Sequence, residues 1–75
     1  MKREYGIYYK IMGLNIAYYR KLRGFTQEVL AEKIGIDQTH MSKIEGASVG
    51  ISFDTLFALA EALNLEPEKL LEIRE

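Results

Sequence analysis

The chain has 75 residues, a net charge of −1, a single proline and no cysteine. This length suits one small domain, and a core of that size is marginal without dense helix packing or a second copy. The lack of cysteine excludes disulfides and thiolate metal sites. No run approaches the ~20 apolar residues of a membrane span, and the first residues lack the apolar run of a signal peptide. We therefore expect one soluble, cytoplasmic domain over residues 1–75 that does not contact membranes.

Charge is unevenly distributed along the chain. Residues 1–43 carry eight Lys/Arg against four Asp/Glu, a net of +4, whereas residues 44–75 carry two against seven, a net of −5. This asymmetry would place the basic half against a polyanion such as nucleic acid and the acidic half in solvent. Ordinary scatter of surface charge is the alternative interpretation.

Apolar residues recur with helical spacing nearly everywhere, and no strand-like alternation persists, so the sequence predicts an all-α fold. Capping and stop residues divide the chain into five short helices. The predicted helices are 6–23, 27–34, 38–45, 53–63 and 67–73, with residues 1–11 as an N-terminal extension of the first. The residues predicted to cap or stop them are Gly24, Thr26, Gly35, Asp37, Gly46, Ser52, Asn64 and, at the start of the fifth helix, Pro67.

The same periodicity predicts the core. One face of each of the first four helices is apolar, and the residues on these faces are Met12, Ile16, Tyr19, Leu30, Ala31, Ile34, Met41, Ile44, Leu56, Leu59, Ala60 and Leu63. The first helix also carries a second apolar stripe, formed by Ile7, Ile11, Leu14, Tyr18 and Leu22. An apolar arc this broad exceeds what a surface helix needs, so either the last helix or another chain is expected to cover the second stripe.

The third helix alternates Met41 and Ile44 with a polar face. That face carries amide, hydroxyl and ammonium groups, on Gln38, Thr39, Ser42 and Lys43. These are the groups that read base edges and hold phosphates in a DNA groove. Solvated surface residues are the alternative interpretation for each of them taken alone.

Nothing in the chain predicts catalysis. There is no nucleophile–base pair, metal-ligand cluster or glycine-rich phosphate loop, so we expect no enzyme activity, no metal, no cofactor and no small-molecule ligand. The single histidine, His40, has no second histidine or carboxylate at ligand spacing. It is interpreted as an exposed or phosphate-facing residue.

Several sequence blocks occur together in one register. They comprise Gly13, Ile16, Arg20, residues 26–28 and 30–33, Gly35, Ser42, Ile44, Glu45, Ser52, Thr55, Leu56, Leu59, Ala60, Ala62 and Leu63. Over residues 12–71 the chain resembles the Cro/repressor-type helix-turn-helix family of phage and bacterial regulators, also called the xenobiotic-response-element type. The spacing between blocks also matches, including the seven residues from Glu45 to Ser52.

The resemblance implies a lambda-repressor-like DNA-binding domain in which helices two and three form the helix-turn-helix and helix three enters the major groove. It implies base reading by Gln38, Thr39 and Lys43. The phosphate contacts that it implies are Gln27, Ser42, His40 and Arg23. It also implies a structural clamp between Arg20 and Glu45, which ties helix one to the end of helix three.

Two features depart from the family pattern. Gly46 comes one place after the glutamate, and Ala47 holds the position where the family usually has glycine, so helix three is expected to end differently. The following loop has no Lys or Arg, so any phosphate contact there must come from backbone amides or Ser48. Val49 and Ile51 are apolar although this loop is expected to be exposed, which indicates a partner surface.

These features together imply a sequence-specific regulator of transcription that binds double-stranded DNA. A repressor is expected, acting as a homodimer on a palindromic operator, because one half-site is too short to specify a genomic site. The predicted dimer interface comprises Val49, Ile51, Leu71 and Ile73, with helix one as the alternative. Other interpretations are an antitoxin or restriction controller with the same fold, or a protein-interaction module that has lost DNA binding.

Overall fold

A computed structural model describes residues 3–73 of the chain, with side chains from residue 4 onward. In this range the elements follow one another as a 3-10 helix at Arg3–Tyr5, α1 at Gly6–Leu22, α2 at Gln27–Ile34, α3 at Gln38–Glu45, α4 at Phe53–Ala62 and a C-terminal 3-10 helix at Pro67–Leu71. Residues 3–73 contain no strand, which confirms the all-α prediction. None of the helices in this range is long and apolar enough to cross a membrane.

The prediction of five α-helices is wrong at the last one. The segment Pro67–Leu71 is a 3-10 helix, in which the Lys69 N–H donates to the Glu66 carbonyl at 3.0 Å, an i to i+3 bond. At Glu72 the backbone is already extended, with φ −74° and ψ 133°. The part of the chain that the structure describes therefore has four α-helices, and the predicted helix to residue 73 is not formed.

The buried amide of Asn15 explains why this segment does not continue as an α-helix. Asn15 Nδ2 donates to the carbonyl of Leu70 at 3.1 Å and to that of Glu72 at 2.8 Å. Both carbonyls are drawn onto α1, so the chain extends along α1 instead of coiling further. Leu70 is fully buried and so anchors the segment to the core. The sequence pattern predicted burial of neither Leu70 nor Asn15.

Helix starts follow the predicted caps. The caps accept hydrogen bonds from backbone N–H groups three residues later: Thr26 Oγ1 from Val29 at 3.1 Å, Asp37 Oδ1 from His40 at 2.7 Å and Ser52 Oγ from Thr55 at 3.1 Å. α2, α3 and α4 start as predicted. α2 and α3 also end as predicted, whereas α1 and α4 each end one residue earlier. Differences of one residue are ordinary at frayed helix ends.

The end of α3 contradicts the prediction that it would close differently. Ala47 adopts the left-handed conformation, with φ 59°, as do Gly24, Gly35 and Asn64 after the other α-helices. The Ala47 N–H donates to the Ile44 carbonyl at 3.1 Å, and the Ser48 N–H donates to the Lys43 carbonyl at 3.0 Å. This pair of bonds is the Schellman motif, so alanine occupies the position that glycine usually fills.

A glycine at this position should stabilise the domain. We expect Ala47→Gly to raise the free energy of unfolding by about 0.5–1 kcal/mol, because a Cβ is strained at positive φ and glycine removes the strain. Urea denaturation would measure the change. The matched control is Ala17→Gly inside α1, which should lower stability by about 1 kcal/mol through helix propensity. Equal destabilisation by both substitutions would contradict the prediction.

The helices enclose one apolar core. Its buried members are Met12, Ile16, Leu30, Ala31, Met41, Ile44, Leu56, Leu59, Ala60, Leu63 and Leu70. Tyr19 and Ile34, predicted inside, are half-buried and pack against this core. Val49 and Ile51 do the same, so the expectation that they are exposed is wrong. The loop after α3 therefore covers the core.

Candidate DNA-binding interface

The inner side of α3 is fixed by the core, and its outer side is free. Met41 and Ile44 are buried, whereas Gln38, Thr39, Ser42 and Lys43 are exposed. At about 100° per residue these four side chains share one face, opposite the two buried ones. The structure thus brings the three predicted base-reading residues together with Ser42 on a single solvent-facing surface.

His40 is exposed but lies at the border of this surface. Helical spacing places it beyond Lys43, on the side of Ile44. Its backbone N–H is already bound to the Asp37 carboxylate at 2.7 Å. Any contact of His40 with a phosphate would therefore come from the imidazole ring, at the edge of the α3 face.

Arg20 and Glu45 form a bidentate ion pair between α1 and the last residue of α3. Arg20 Nε donates to Glu45 Oε2 at 2.7 Å, and Nη2 donates to Oε1 at 3.1 Å. The Arg20 and Glu45 side chains are only 11% and 7% exposed. The third nitrogen, Nη1, donates to the Phe25 carbonyl at 2.9 Å, so the guanidinium also fixes the turn between α1 and α2.

Gln27 joins this cluster. Its Nε2 atom donates to Glu45 Oε1 at 3.0 Å, which links the first residue of α2 to the last residue of α3. A side-chain amide has two N–H donors, so one remains available to an anion such as a DNA phosphate. The Glu45 carboxylate therefore holds α1, α2 and α3 together, and we call these three residues, Arg20, Gln27 and Glu45, the clamp.

Arg23 lies elsewhere. Its Nε donates to the Leu63 carbonyl at 2.8 Å, at the C-terminal end of α4. The structure therefore does not bring Arg23 together with the polar face of α3 through any described contact. The other guanidinium N–H groups keep a phosphate contact chemically available, and that role stays a prediction.

Ser48 also has a structural contact. Its Oγ donates to the Lys43 carbonyl at 3.2 Å and so satisfies a carbonyl at the end of α3. The hydroxyl proton is then used within the protein. Phosphate contacts by the loop after α3 would have to come from its backbone N–H groups.

The four residues predicted to form a dimer interface do not share one surface. Ile51 and Leu71 line a groove of about 470 Å³, which we call the tyrosine groove; its other lining residues are Tyr5, Tyr8, Tyr9, Met12, Ser52, Phe53 and Leu56. Ile73 instead lines a depression of about 100 Å³ together with Ile11, Leu14, Asn15 and Glu72. Val49 is half-buried and lines neither.

Sequence reasoning missed two aromatic residues, Phe53 in the tyrosine groove and Phe57 next to it. Phe53 and Phe57 are 75% and 52% exposed, and their rings stack with centroids 6.1 Å apart. They are one turn apart at the start of α4 and fall outside its core-facing stripe. In the sequence, two large apolar residues outside the core-facing positions of α4 could have indicated a second apolar surface.

Comparison with known proteins defines the class. The sequence profile of the family described as Helix-turn-helix (HTH_3) matches residues 16–70, and the chain belongs to this family. The control protein C.SmaI of Serratia marcescens is 36% identical over 62 residues, which cover 83% of this chain and 74% of that protein.

Two solved structures resemble the fold closely. The restriction-modification controller protein C.AhdI of Aeromonas hydrophila has a TM-score of 0.85 at 26% identity, covering 91% of this chain and 99% of that one. The P22 c2 repressor, solved in complex with synthetic operator 9T, has a TM-score of 0.75 at 30% identity, covering 81% and 92%. The predicted resemblance to the Cro/repressor type is therefore confirmed, and the chain is a DNA-binding transcriptional regulator of that type.

Proposed function

We propose that the chain is a sequence-specific repressor that binds a two-fold-symmetric operator as a homodimer and acts in the cytoplasm. The observation that carries this proposal is the exposed polar face of α3, held in place by the partly buried clamp. The likeness to the P22 c2 repressor, which was solved in complex with an operator, supports the binding of an operator by this fold. A dimer bound over a promoter would repress by excluding other proteins from the same DNA.

Each side chain on the α3 face suits a particular contact. The Gln38 amide can pair with the N6 and N7 atoms of adenine, and the Lys43 ammonium can donate to the O6 and N7 atoms of guanine. Thr39 offers a hydroxyl and a methyl group. Ser42, between these residues on the helix face, and Gln27, at the start of α2, are proposed to contact phosphates, which fix the register of the protein on the duplex.

Removing a base-reading side chain should weaken binding to the preferred duplex selectively. We expect Gln38→Ala and Lys43→Ala each to cost about 1–3 kcal/mol of binding free energy at an operator selected from a random library. Ser42→Ala and Gln27→Ala should weaken binding to operator and random duplex alike. Fluorescence anisotropy at fixed salt would measure both affinities.

Lys69→Ala serves as the charge-matched control for Lys43→Ala. Lys69 is exposed on the C-terminal 3-10 helix, so its removal tests the effect of losing one positive charge away from α3. It should leave the preference for the operator unchanged. If both α3 variants bind the operator as tightly as the unsubstituted protein, α3 is not the recognition helix.

The tyrosine groove is the surface that we propose for dimerisation. Tyr5, Tyr8, Phe53 and Leu71 line it, and Phe57 stacks on Phe53. These five large side chains are 48–75% exposed. The exposed aromatic rings and the groove lie on the same side of one protomer. A two-fold axis can therefore place the aromatic rings of each copy in the groove of the other copy. Such a pair would carry two α3 helices, as a palindromic operator requires.

This proposal revises the predicted interface. Ile51 and Leu71 are retained because both line the tyrosine groove. Ile73 is left out because it lies at the separate depression beside α1, and Val49 is left out because it packs against the core without lining the groove.

An acidic substitution in the groove should dissociate the dimer. Phe53 is the first residue of α4, where an acidic side chain favours the helix dipole, so Phe53→Asp should preserve the monomer fold. We expect a dimer at tens of micromolar in sedimentation equilibrium, a monomer for Phe53→Asp, and at least tenfold weaker operator binding by that variant. Ile73→Asp, the matched control, should stay dimeric. A monomeric unsubstituted protein that binds a palindrome without cooperativity would contradict the proposal.

A second candidate function is control of restriction-modification genes. C.AhdI, which is named as a restriction-modification controller protein, and C.SmaI, which is named as a control protein, favour it. The test is whether the protein binds DNA upstream of its own gene and whether methyltransferase and endonuclease genes lie beside it. Binding there without such neighbours would leave the general repressor as the function.

A further inference from the structure

One apolar surface takes no part in the core or in the tyrosine groove. It is the second stripe of α1, which we call the α1 stripe: Ile7, Ile11, Leu14, Tyr18 and Leu22. Ile7, Leu14 and Leu22 are each 58% exposed, and Tyr18 is 44% exposed. Within the described residues, the C-terminal segment covers only part of it, because Ile73, which lines one depression with Ile11 and Leu14, is itself 69% exposed.

The α1 stripe faces away from the recognition helix. Gly13 and Arg20 mark the side of α1 that meets α3, since both contact Glu45. At about 100° per residue, the α1 stripe occupies an arc of about 80° whose centre lies about 150° from those two residues. A molecule bound to the α1 stripe would therefore leave α3 free to contact DNA.

The spacing of the α1 stripe fits another helix. Ile7, Ile11, Leu14 and Tyr18 follow one another at intervals of four, three and four residues. This is the spacing with which two helices pack along an a/d seam. The depression of about 100 Å³ beside Ile11, Leu14 and Ile73 interrupts the seam. It is smaller than the ~150 Å³ cavity that holds benzene, so it suits a single aliphatic side chain.

Charge disfavours a second copy packed antiparallel on the α1 stripe. Lys10 and Lys21 border the α1 stripe on the same side, both are exposed, and neither forms a salt bridge within residues 3–73. If two copies packed their α1 helices antiparallel about a two-fold axis, the lysine-bearing border of one α1 stripe would face the same border of the other copy. Lys10 would then lie near the other copy's Lys21, and like charges repel at such a contact.

We propose that the α1 stripe binds an amphipathic helix of a partner protein whose apolar seam is bordered by carboxylates. Lys10 and Lys21 are three helical turns apart, a rise of about 16 Å, so two Glu or Asp side chains at matching spacing would pair with them. Because the α1 stripe lies opposite α3, the partner binds while the regulator occupies DNA. This surface is independent of the proposed dimer, since it shares no residue with the tyrosine groove.

Two synthetic helical peptides of about 20 residues test the proposal. Both carry the same leucine seam, and they differ only in glutamate or lysine along the border. We expect calorimetry to show at least tenfold tighter binding of the glutamate peptide. Lys10→Glu combined with Lys21→Glu should reverse this preference. Leu14→Asp should abolish peptide binding but leave operator binding intact, so the outcome does not depend on the DNA proposal.

NMR spectra of the isotope-labelled chain would locate the peptide. Amide shifts should be confined to α1 and residues near Ile73, with and without a DNA duplex, and Phe53→Asp should leave peptide affinity unchanged. Equal affinity for the two peptides, or shifts centred on the tyrosine groove, would overturn the proposal. So would sedimentation data in which the unsubstituted protein and Phe53→Asp are dimers and Leu14→Asp is a monomer, because a second copy would then occupy the α1 stripe.

Discussion

Replacing Glu45 with alanine is expected to lower the free energy of unfolding by about 3–5 kcal/mol. The substitution removes the acceptor of three hydrogen bonds, two from Arg20 and one from Gln27. It leaves the Arg20 guanidinium, on a side chain only 11% exposed, without its counter-charge. Small domains are stable by only about 5–15 kcal/mol in total, so the variant should be close to unfolding at room temperature.

A double-mutant cycle of Arg20→Ala and Glu45→Ala, followed by urea denaturation, would measure the coupling. We expect the double variant to be less destabilised than the sum of the single variants, because no charge is then buried alone. The exposed ion pair of Lys69 and Glu72 serves as the comparison, since these side chains are 48% and 47% exposed. Lys69→Ala should lower the free energy of unfolding by less than about 1 kcal/mol. Zero coupling between Arg20 and Glu45 would show that the clamp does not hold in solution.

A methyl group at residue 13 should separate α1 from α3. A Cβ added to Gly13 would lie 2.5 Å from the Glu45 carbonyl oxygen and 2.9 Å from that of Ile44. Both atoms belong to backbone, which cannot move aside as a side chain can. We expect Gly13→Ala to lower the free energy of unfolding by about 2–3 kcal/mol, although alanine favours helix by about 1 kcal/mol.

Gly6→Ala is the matched control, because a Cβ there meets nothing within 4 Å. It should be neutral or slightly stabilising in the same urea titration. Gly13→Ala should also weaken operator binding, since a shift of the end of α3 moves Lys43. If Gly13→Ala proves as stable as Gly6→Ala, the close approach of the two helices is not present in solution.

Local chemistry explains which parts of the fold the sequence predicted well. The starts of α2 and α3 depend on caps that contact residues three positions away, such as Asp37 with His40. The last segment was predicted wrongly because its conformation depends on Asn15, 55 residues earlier than Leu70. Ala47 shows the same limit, since its own preference against positive φ is overridden by the Schellman bonds around it.

The candidate site divides in a similar way. The polar face of α3 follows from helical spacing alone, so its members were predicted correctly as neighbours. The contacts of Gln27 with Glu45 and of Arg23 with Leu63 depend on side-chain conformation and on how the helices pack. Spacing within one segment also says nothing about which distant segments meet, so Ile73 could not be separated from Leu71 before the fold was known.

The α3 face has a consequence for engineering. Four exposed side chains of α3 form no hydrogen bond or ion pair with other described residues: Gln38, Thr39, Ser42 and Lys43. The clamp and the core instead fix α3 through other residues of the helix. Folding and the proposed recognition of DNA thus depend on separate sets of side chains in the same eight-residue helix. A library that randomises only those four positions should consist mainly of folded proteins, from which variants with new operator preferences can be selected on one unchanged scaffold.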